Sequence, residues 1–217
     1  MNAINYFQNK EIKLIVPTNK LEIYYLNNDP NSWIKVQKID SPFGLSMEEF
    51  EDLWQFKPKE KLKIMVSDRI IECPRYSRSY LRSYKFSGLD HEADMNMPER
   101  IAKLLDSCKE MNPDLNQSLV NWYEHDGSIG PHSDDRSQLK RDSDIFSLSF
   151  GPAKRTFIVE AKDKSLNTIY HVNLEHNTLL IMGGKCQERY KHSVPKIRSS
   201  ESNANGRRLN VTFRCFK

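Results

Sequence analysis

From Ser118 onward the chain is cut into short runs rich in β-branched and aromatic residues, each bounded by turn formers, and no other feature limits the fold as tightly. The runs read SLVNWY, IFSLSFG, RTFIVEA, TIYHVNL, NTLLIMGG and RRLNVTFRCF. They recur at roughly the 8–12-residue interval typical of sandwiches and barrels. KLEIYYL and KLKIMV upstream have the same character. Two segments follow a helical period instead. SMEEFEDLWQF opens with Ser46 and Glu49 at capping-box spacing. MPERIAKLLDSCKEM places Pro98 in its first turn, with Ile101, Leu104, Leu105 and Cys108 on one stripe. The expectation is an α+β chain with a jelly-roll or barrel core, outer helices, and no sharp boundary that splits off a second domain.

Composition narrows the setting. A chain of 217 residues, 38% hydrophobic and 29% charged, suits one domain with a sizeable core. Its 33 basic residues against 29 acidic ones permit nucleic-acid binding without demanding it. Cys73, Cys108, Cys186 and Cys215 are far apart, which argues for reduced thiols and against a thiolate zinc site. The first residues lack the apolar run of a secretion signal, and no stretch is apolar enough for a bilayer. An intracellular protein, cytoplasmic or nuclear, is expected, with no membrane partner.

The chemistry gathers in three places. In GSIGPHSDD, His132 and Asp134 share a side if the backbone stays extended from Ile129 to Asp134. H-x-D alone is weak, but His192 in ERYKHSVPK supplies a third ligand. Two imidazoles and one carboxylate leave three of six positions open around a non-haem Fe(II). The third place is RLNVTFR, where Arg208, Asn210, Thr212 and Arg214 face one way and Leu209, Val211 and Phe213 the other. If the apolar face packs under a helix, two guanidinium groups enter the barrel, where a bare charge is very costly. A dicarboxylate would satisfy them, with fork geometry that suits arginine.

The ordered series NWY (121–123), G-x-I-G-x-H-x-D-D (127–135), SLSFG (147–151), YKHSVP (190–195) and RLNVTFR (208–214) resembles the AlkB family of Fe(II)/2-oxoglutarate-dependent dioxygenases, closest to its nucleic-acid repair demethylases. The resemblance runs from about Pro74 to the end of the given sequence. It implies a double-stranded β-helix core with outer helices and an N-terminal nucleotide-recognition lid. In that scheme residues 1–60 form a mixed extension, 61–117 the lid with its supporting helix, and 118–217 the dioxygenase core, all in one structural domain. It further implies that His132, Asp134 and His192 bind iron. Arg208 pairs with the distal carboxylate of 2-oxoglutarate, helped by Tyr123, while Arg214, Asn121 and Asn210 hold the chelating end. Arg75, Tyr84 and Phe86 in PRYSRSYLRSYKFSG match lid positions that contact the nucleotide, and Asp135 matches a carboxylate that contacts the base. The implied cofactors are Fe(II), 2-oxoglutarate and O2. The implied partner is alkylated DNA or RNA, carrying lesions such as 1-methyladenine or 3-methylcytosine, and the chain is expected to act as a monomer.

Plainer readings stand beside these. His125, His171 and His176 read as surface or turn residues. Arg208 and Arg214 could protect an exposed edge, Tyr84 and Phe86 could be core packing, and Asp135 could cap a turn. As wholes, the alternatives are the same chemistry on RNA or a protein side chain, a β-barrel binding module without catalysis, and a cupin-like isomerase.

Overall fold

A computed structural model describes residues 10–66, 68–86, 89–197 and 206–217, without the side chains of Val66, Phe86 and Leu89. Two sheets carry the fold. The smaller is ordered β1 (Glu11–Ile15), β14 (Thr168–Leu174), β13 (Arg155–Ala161), β16 (Tyr190–Val194), β11 (Ile129–His132). The larger is ordered β2 (Glu22–Tyr25), β3 (Ser32–Lys38), β15 (Thr178–Gly184), β12 (Ile145–Phe150), β17 (Arg208–Arg214), β10 (Gln117–Tyr123), β6 (Tyr76–Tyr80), β9 (Ala93–Asp94). Two separate hairpins join β4 (Lys63–Val66) to β5 (Arg69–Glu72) and β7 (Tyr84–Phe86) to β8 (Leu89–His91). Both sheets combine strands from before residue 60 with strands from beyond 118, so hydrogen bonding crosses the boundaries read from the sequence.

The helices form where the sequence places them. In α1 (Met47–Gln55) the Ser46 side chain accepts from the Glu49 amide at 3.1 Å, and the Glu49 carboxylate accepts from the Ser46 amide at 2.8 Å. That reciprocal pair satisfies two end donors the helix cannot pair internally. In α2 (Glu99–Met111), Pro98 sits at the N-cap rather than inside the first turn, and Ile101, Leu104, Leu105 and Cys108 are buried as the stripe predicts. A short α3 (Cys186–Arg189) connects β15 to β16.

Side-chain alternation then sorts the residues into layers. Phe146, Leu148 and Phe150 of β12, with Leu209, Val211 and Phe213 of β17, pack in one cluster with Phe50 and Leu53 of α1 and Ile101 and Leu104 of α2. Trp122 is fully buried there and donates its indole N–H to the Leu53 carbonyl at 3.1 Å. A second cluster joins inner-face residues of both sheets, including Val36, Leu180, Met182, Phe157, Val159 and Val172. The helices therefore cover the outer face of the larger sheet, and its inner face looks onto the smaller one. The four cysteines are buried and free. Among the described residues no helix is long and apolar enough to cross a membrane.

Candidate metal and co-substrate site

Strand pairing brings the two histidines together. His132 ends β11 and stands opposite His192 of β16 in the antiparallel register, where facing side chains lie close enough to touch. Their ring centres are 4.2 Å apart. Asp134 arrives differently from the sequence expectation. The strand stops at His132, and the aspartate is held from the following loop. Its backbone N–H donates to Gln187 Oε1 at 2.9 Å, and its Oδ2 accepts from Arg214 Nε at 2.8 Å. Oδ1 is left facing both imidazoles, 3.7 Å from His132 Nε2 and 3.9 Å from His192 Nε2. One ligand atom from each of the three residues lies within 4.8 Å of the others.

The protonation states suit metal binding. His132 Nδ1 is 2.9 Å from the Gly130 carbonyl, which can only accept, so this nitrogen carries the hydrogen and Nε2 keeps its lone pair. Burial, reinforced by the neighbouring His132, pushes the pKa of His192 down to about 3, so its ring is neutral. His132 is shifted the same way by burial, partly opposed by Asp134. Burial alone would raise the Asp134 pKa; Arg214, followed by His192 and His132, overrides it and holds the carboxyl well below its usual range. Two neutral imidazoles and an ionised carboxylate form a donor set that suits Fe(II).

The other half of the site belongs to β17 and its neighbours. Register places Arg208 opposite Tyr123, Asn210 opposite Asn121 and Arg214 opposite Gln117, so the alternation read in RLNVTFR points one polar edge at the cavity. Arg208 is 2% exposed. Its Nη2 donates to Ser149 Oγ at 2.7 Å and its guanidinium lies 4.9 Å from the Tyr123 ring centre. Among the described residues, its Nε and Nη1 make no hydrogen bond of good geometry, although the nearby Tyr123 side chain favours its charged form. Two orphaned N–H groups on a buried cation are what a carboxylate fits. Asn210 donates to Ser147 Oγ and the Leu148 carbonyl, both at 2.9 Å.

One cavity is lined by His132, Asp134 and His192 together with Asn121, Tyr123, Arg208, Asn210 and Arg214. Of the lid residues, Arg75 and Tyr84 line it too. Both are more enclosed than a surface reader of nucleotides would be. Arg75 is 4% exposed and donates from Nε to Asn121 Oδ1 at 3.1 Å. Tyr84 is 5% exposed, beneath the Arg214 guanidinium at 4.8 Å and 6.0 Å from the Phe216 ring. Phe86 belongs to β7, but its side chain lies outside the described residues. Asp135 is half-buried, and its Oδ1 accepts from the Ser137 N–H at 2.8 Å. His176 is a turn residue, bridging the Gly151 amide and the Leu45 carbonyl. Sequence reasoning missed Gln187, Gln117, Ser147 and Ser149, which brace the named residues; only the alternation in SLSFG signalled the serines.

Comparison with known proteins agrees with this geometry. The model of the 2OG-Fe(II) oxygenase superfamily matches residues 50–214. The chain is 39% identical over 108 residues to the rat protein named alpha-ketoglutarate-dependent dioxygenase alkB homolog 3, covering 46% of this chain and 35% of that one. It is 33% identical over 165 residues to the mouse DNA oxidative demethylase ALKBH2, covering 70% and 66%. A third match, 27% identical over 135 residues, lies within an RNA-directed RNA polymerase of Lolium latent virus, covering 61% of this chain and 7% of that one. The first relatives are thus matched over about a third of their length. The solved structure of OsALKBH1 shares the fold, with a TM-score of 0.55 at 18% identity over 89% of this chain and 99% of that one.

Proposed function

Because the chain belongs to the 2OG-Fe(II) oxygenase superfamily and groups with its AlkB-type members, we propose that it oxidatively removes small alkyl groups from the ring nitrogens of nucleobases in DNA or RNA. The cofactors of the family are Fe(II), 2-oxoglutarate and O2. When bound, they supply oxidation of the N-alkyl carbon, which leaves as an aldehyde while succinate and CO2 are formed.

The chain's own residues bind, orient and exclude water. His132, His192 and Asp134 Oδ1 would hold the iron, with Arg214 fixing Oδ2 so that Oδ1 stays turned inward. Arg208 and Tyr123 would receive the distal carboxylate, and Asn121, Asn210 and Arg214 the end that chelates the metal. Arg75, Arg208 and Arg214 line the cavity against one carboxylate, Asp134, an excess of positive charge that favours a dianion. In this reading residues 61–117 form the nucleotide-facing lid, carrying Arg75, Tyr84 and Phe86. The free oxygen of Asp135 would meet an exocyclic amine or a cationic lesion. The observation that carries the proposal is that the three-ligand cluster and the two orphaned N–H groups of Arg208 open onto the same cavity.

Mass spectrometry of oligonucleotides bearing 1-methyladenine or 3-methylcytosine tests it, after incubation with iron, 2-oxoglutarate and O2. Loss of the methyl mass is expected with the native chain and not with His192→Ala; intact lesions with both would refute demethylation. An RNA substrate is the second reading, favoured by the match inside a viral RNA-directed RNA polymerase. Competition between methylated DNA and RNA separates the two. A chain without catalysis would give no metal-to-ligand charge-transfer band on anaerobic addition of Fe(II) and 2-oxoglutarate.

A further inference from the structure

Arg155 begins β13, is 4% exposed, and stands outside the residues that line the cavity. Its Nη2 donates to two carbonyls at once, Gly127 at 2.7 Å and Pro195 at 2.6 Å. Gly127 lies just before β11, the strand of His132, and Pro195 directly follows β16, the strand of His192. The same guanidinium lies 5.8 Å from the Tyr123 ring centre, so Arg155 and Arg208 share one phenol ring. Among the described residues, Arg155 Nη1 has no partner.

Tying two carbonyls together needs one nitrogen. It does not need a second, orphaned N–H on a buried cation set near another cation. Burial, with Arg208 next, lowers the Arg155 pKa to about 10, so Arg155 stays charged at neutral pH. Arg208 is also lowered by burial, and a guanidinium keeps its proton in a protein. Two buried guanidinium groups around one ring repel each other until an anion arrives. We propose that Arg155 is a positioning residue for the distal carboxylate of a 2-oxo diacid. It holds the Tyr123 ring in place and lends a second positive charge to the recess headed by Arg208, so the site discriminates a diacid from a monoacid. The inference rests on reading the cavity as a 2-oxoglutarate site.

Calorimetry on the Mn(II)-loaded protein tests this with two ligands, 2-oxoglutarate and 2-oxopentanoate, which has the same chain length without the distal carboxylate. Arg155→Gln is expected to weaken 2-oxoglutarate binding about tenfold, on the scale of losing one nearby, partly screened positive charge. Binding of 2-oxopentanoate should stay within about twofold, and in turnover the KM for 2-oxoglutarate should rise while kcat holds. Arg155→Lys, which keeps the charge, should retain most of the preference for the diacid. Equal weakening of both ligands would reduce Arg155 to a loop staple and overturn the proposal, as would no change in either. Should Arg155→Gln not fold, a folded Arg155→Lys that loses the diacid preference overturns it as well. A native chain that binds no 2-oxoglutarate would sink the functional reading itself; a native chain that binds while the variant is unaltered sinks only this inference.

Discussion

Arg208→Met should push stability and ligand binding in opposite directions. Within the described residues Arg208 is 2% exposed, makes one bond to Ser149 Oγ and leaves two N–H groups without a partner from the chain. Each buried unsatisfied donor costs about 1–3 kcal/mol. Loss of the contact with the Tyr123 ring, worth about 0.5–2 kcal/mol, and of the Ser149 bond subtracts from the gain. Methionine, shorter but apolar and free of donors, should therefore stabilise the protein without ligand by about 1–2 kcal/mol, or roughly 2–8 °C in Tm for a chain of this size. With Mn(II) and 2-oxoglutarate the order reverses. Two charge-assisted hydrogen bonds at about 1.5–3 kcal/mol each are lost, weakening binding by roughly 10²–10⁴-fold. Melting curves with and without 2-oxoglutarate read both effects. A variant that melts lower without ligand and keeps the native ligand-induced shift would refute the reasoning that Arg208 is a strained cation waiting for an anion.

Asp134→Ala should abolish Mn(II) binding in a paramagnetic-resonance titration and also destabilise the metal-free protein by about 3–5 kcal/mol, because it strands buried Arg214. His192→Ala should lose the metal without so large a fall in Tm. Ser46→Ala, which breaks the capping box of α1, should cost about 0.5–2 kcal/mol in chemical denaturation and leave 2-oxoglutarate binding unchanged. At Asp29, burial pushes the pKa up, but hydrogen bonds from Ser32, the Asn31 amide and Arg189 outweigh it and bring the value to about 2. A carboxyl depressed in the folded state stabilises above its unfolded pKa and loses that contribution as pH falls through the folded one. The stability deficit of Asp29→Asn, read by chemical denaturation, should therefore be about 1 kcal/mol at pH 7 after solvent screening and shrink between pH 4 and pH 2.

What could be read from the sequence was whatever local periodicity encodes. RLNVTFR announced its two faces because each side chain alternates with certainty on a strand, and burial of Leu209, Val211 and Phe213 under the helices forced Arg208 and Arg214 inward. The pairing of Ser46 with Glu49 is equally local. The strand β6 shows no simple apolar alternation, because Ser77 and Ser79 hydrogen-bond Asn121 and Gln117 while Tyr76 and Tyr80 pack on the cluster beneath the helices. Extrapolating one strand through Asp134 placed the right residue by the wrong route, since Gln187 and Arg214, distant in sequence, hold it there. Arg155 gave no signal at all. Its partners are backbone carbonyls, which leave no mark on side-chain patterns.

β17 lies in the middle of the larger sheet, between β10 and β12, although more than fifty residues separate it in sequence from either. Until it inserts, the sheet has a vacant slot with two raw edges, open to any passing extended peptide. Such long-range closure is slow. The wait falls on the strand that bears Arg208, Asn210 and Arg214, so a chain cut short before residue 208 would lose its guanidinium groups and its solubility in a single stroke.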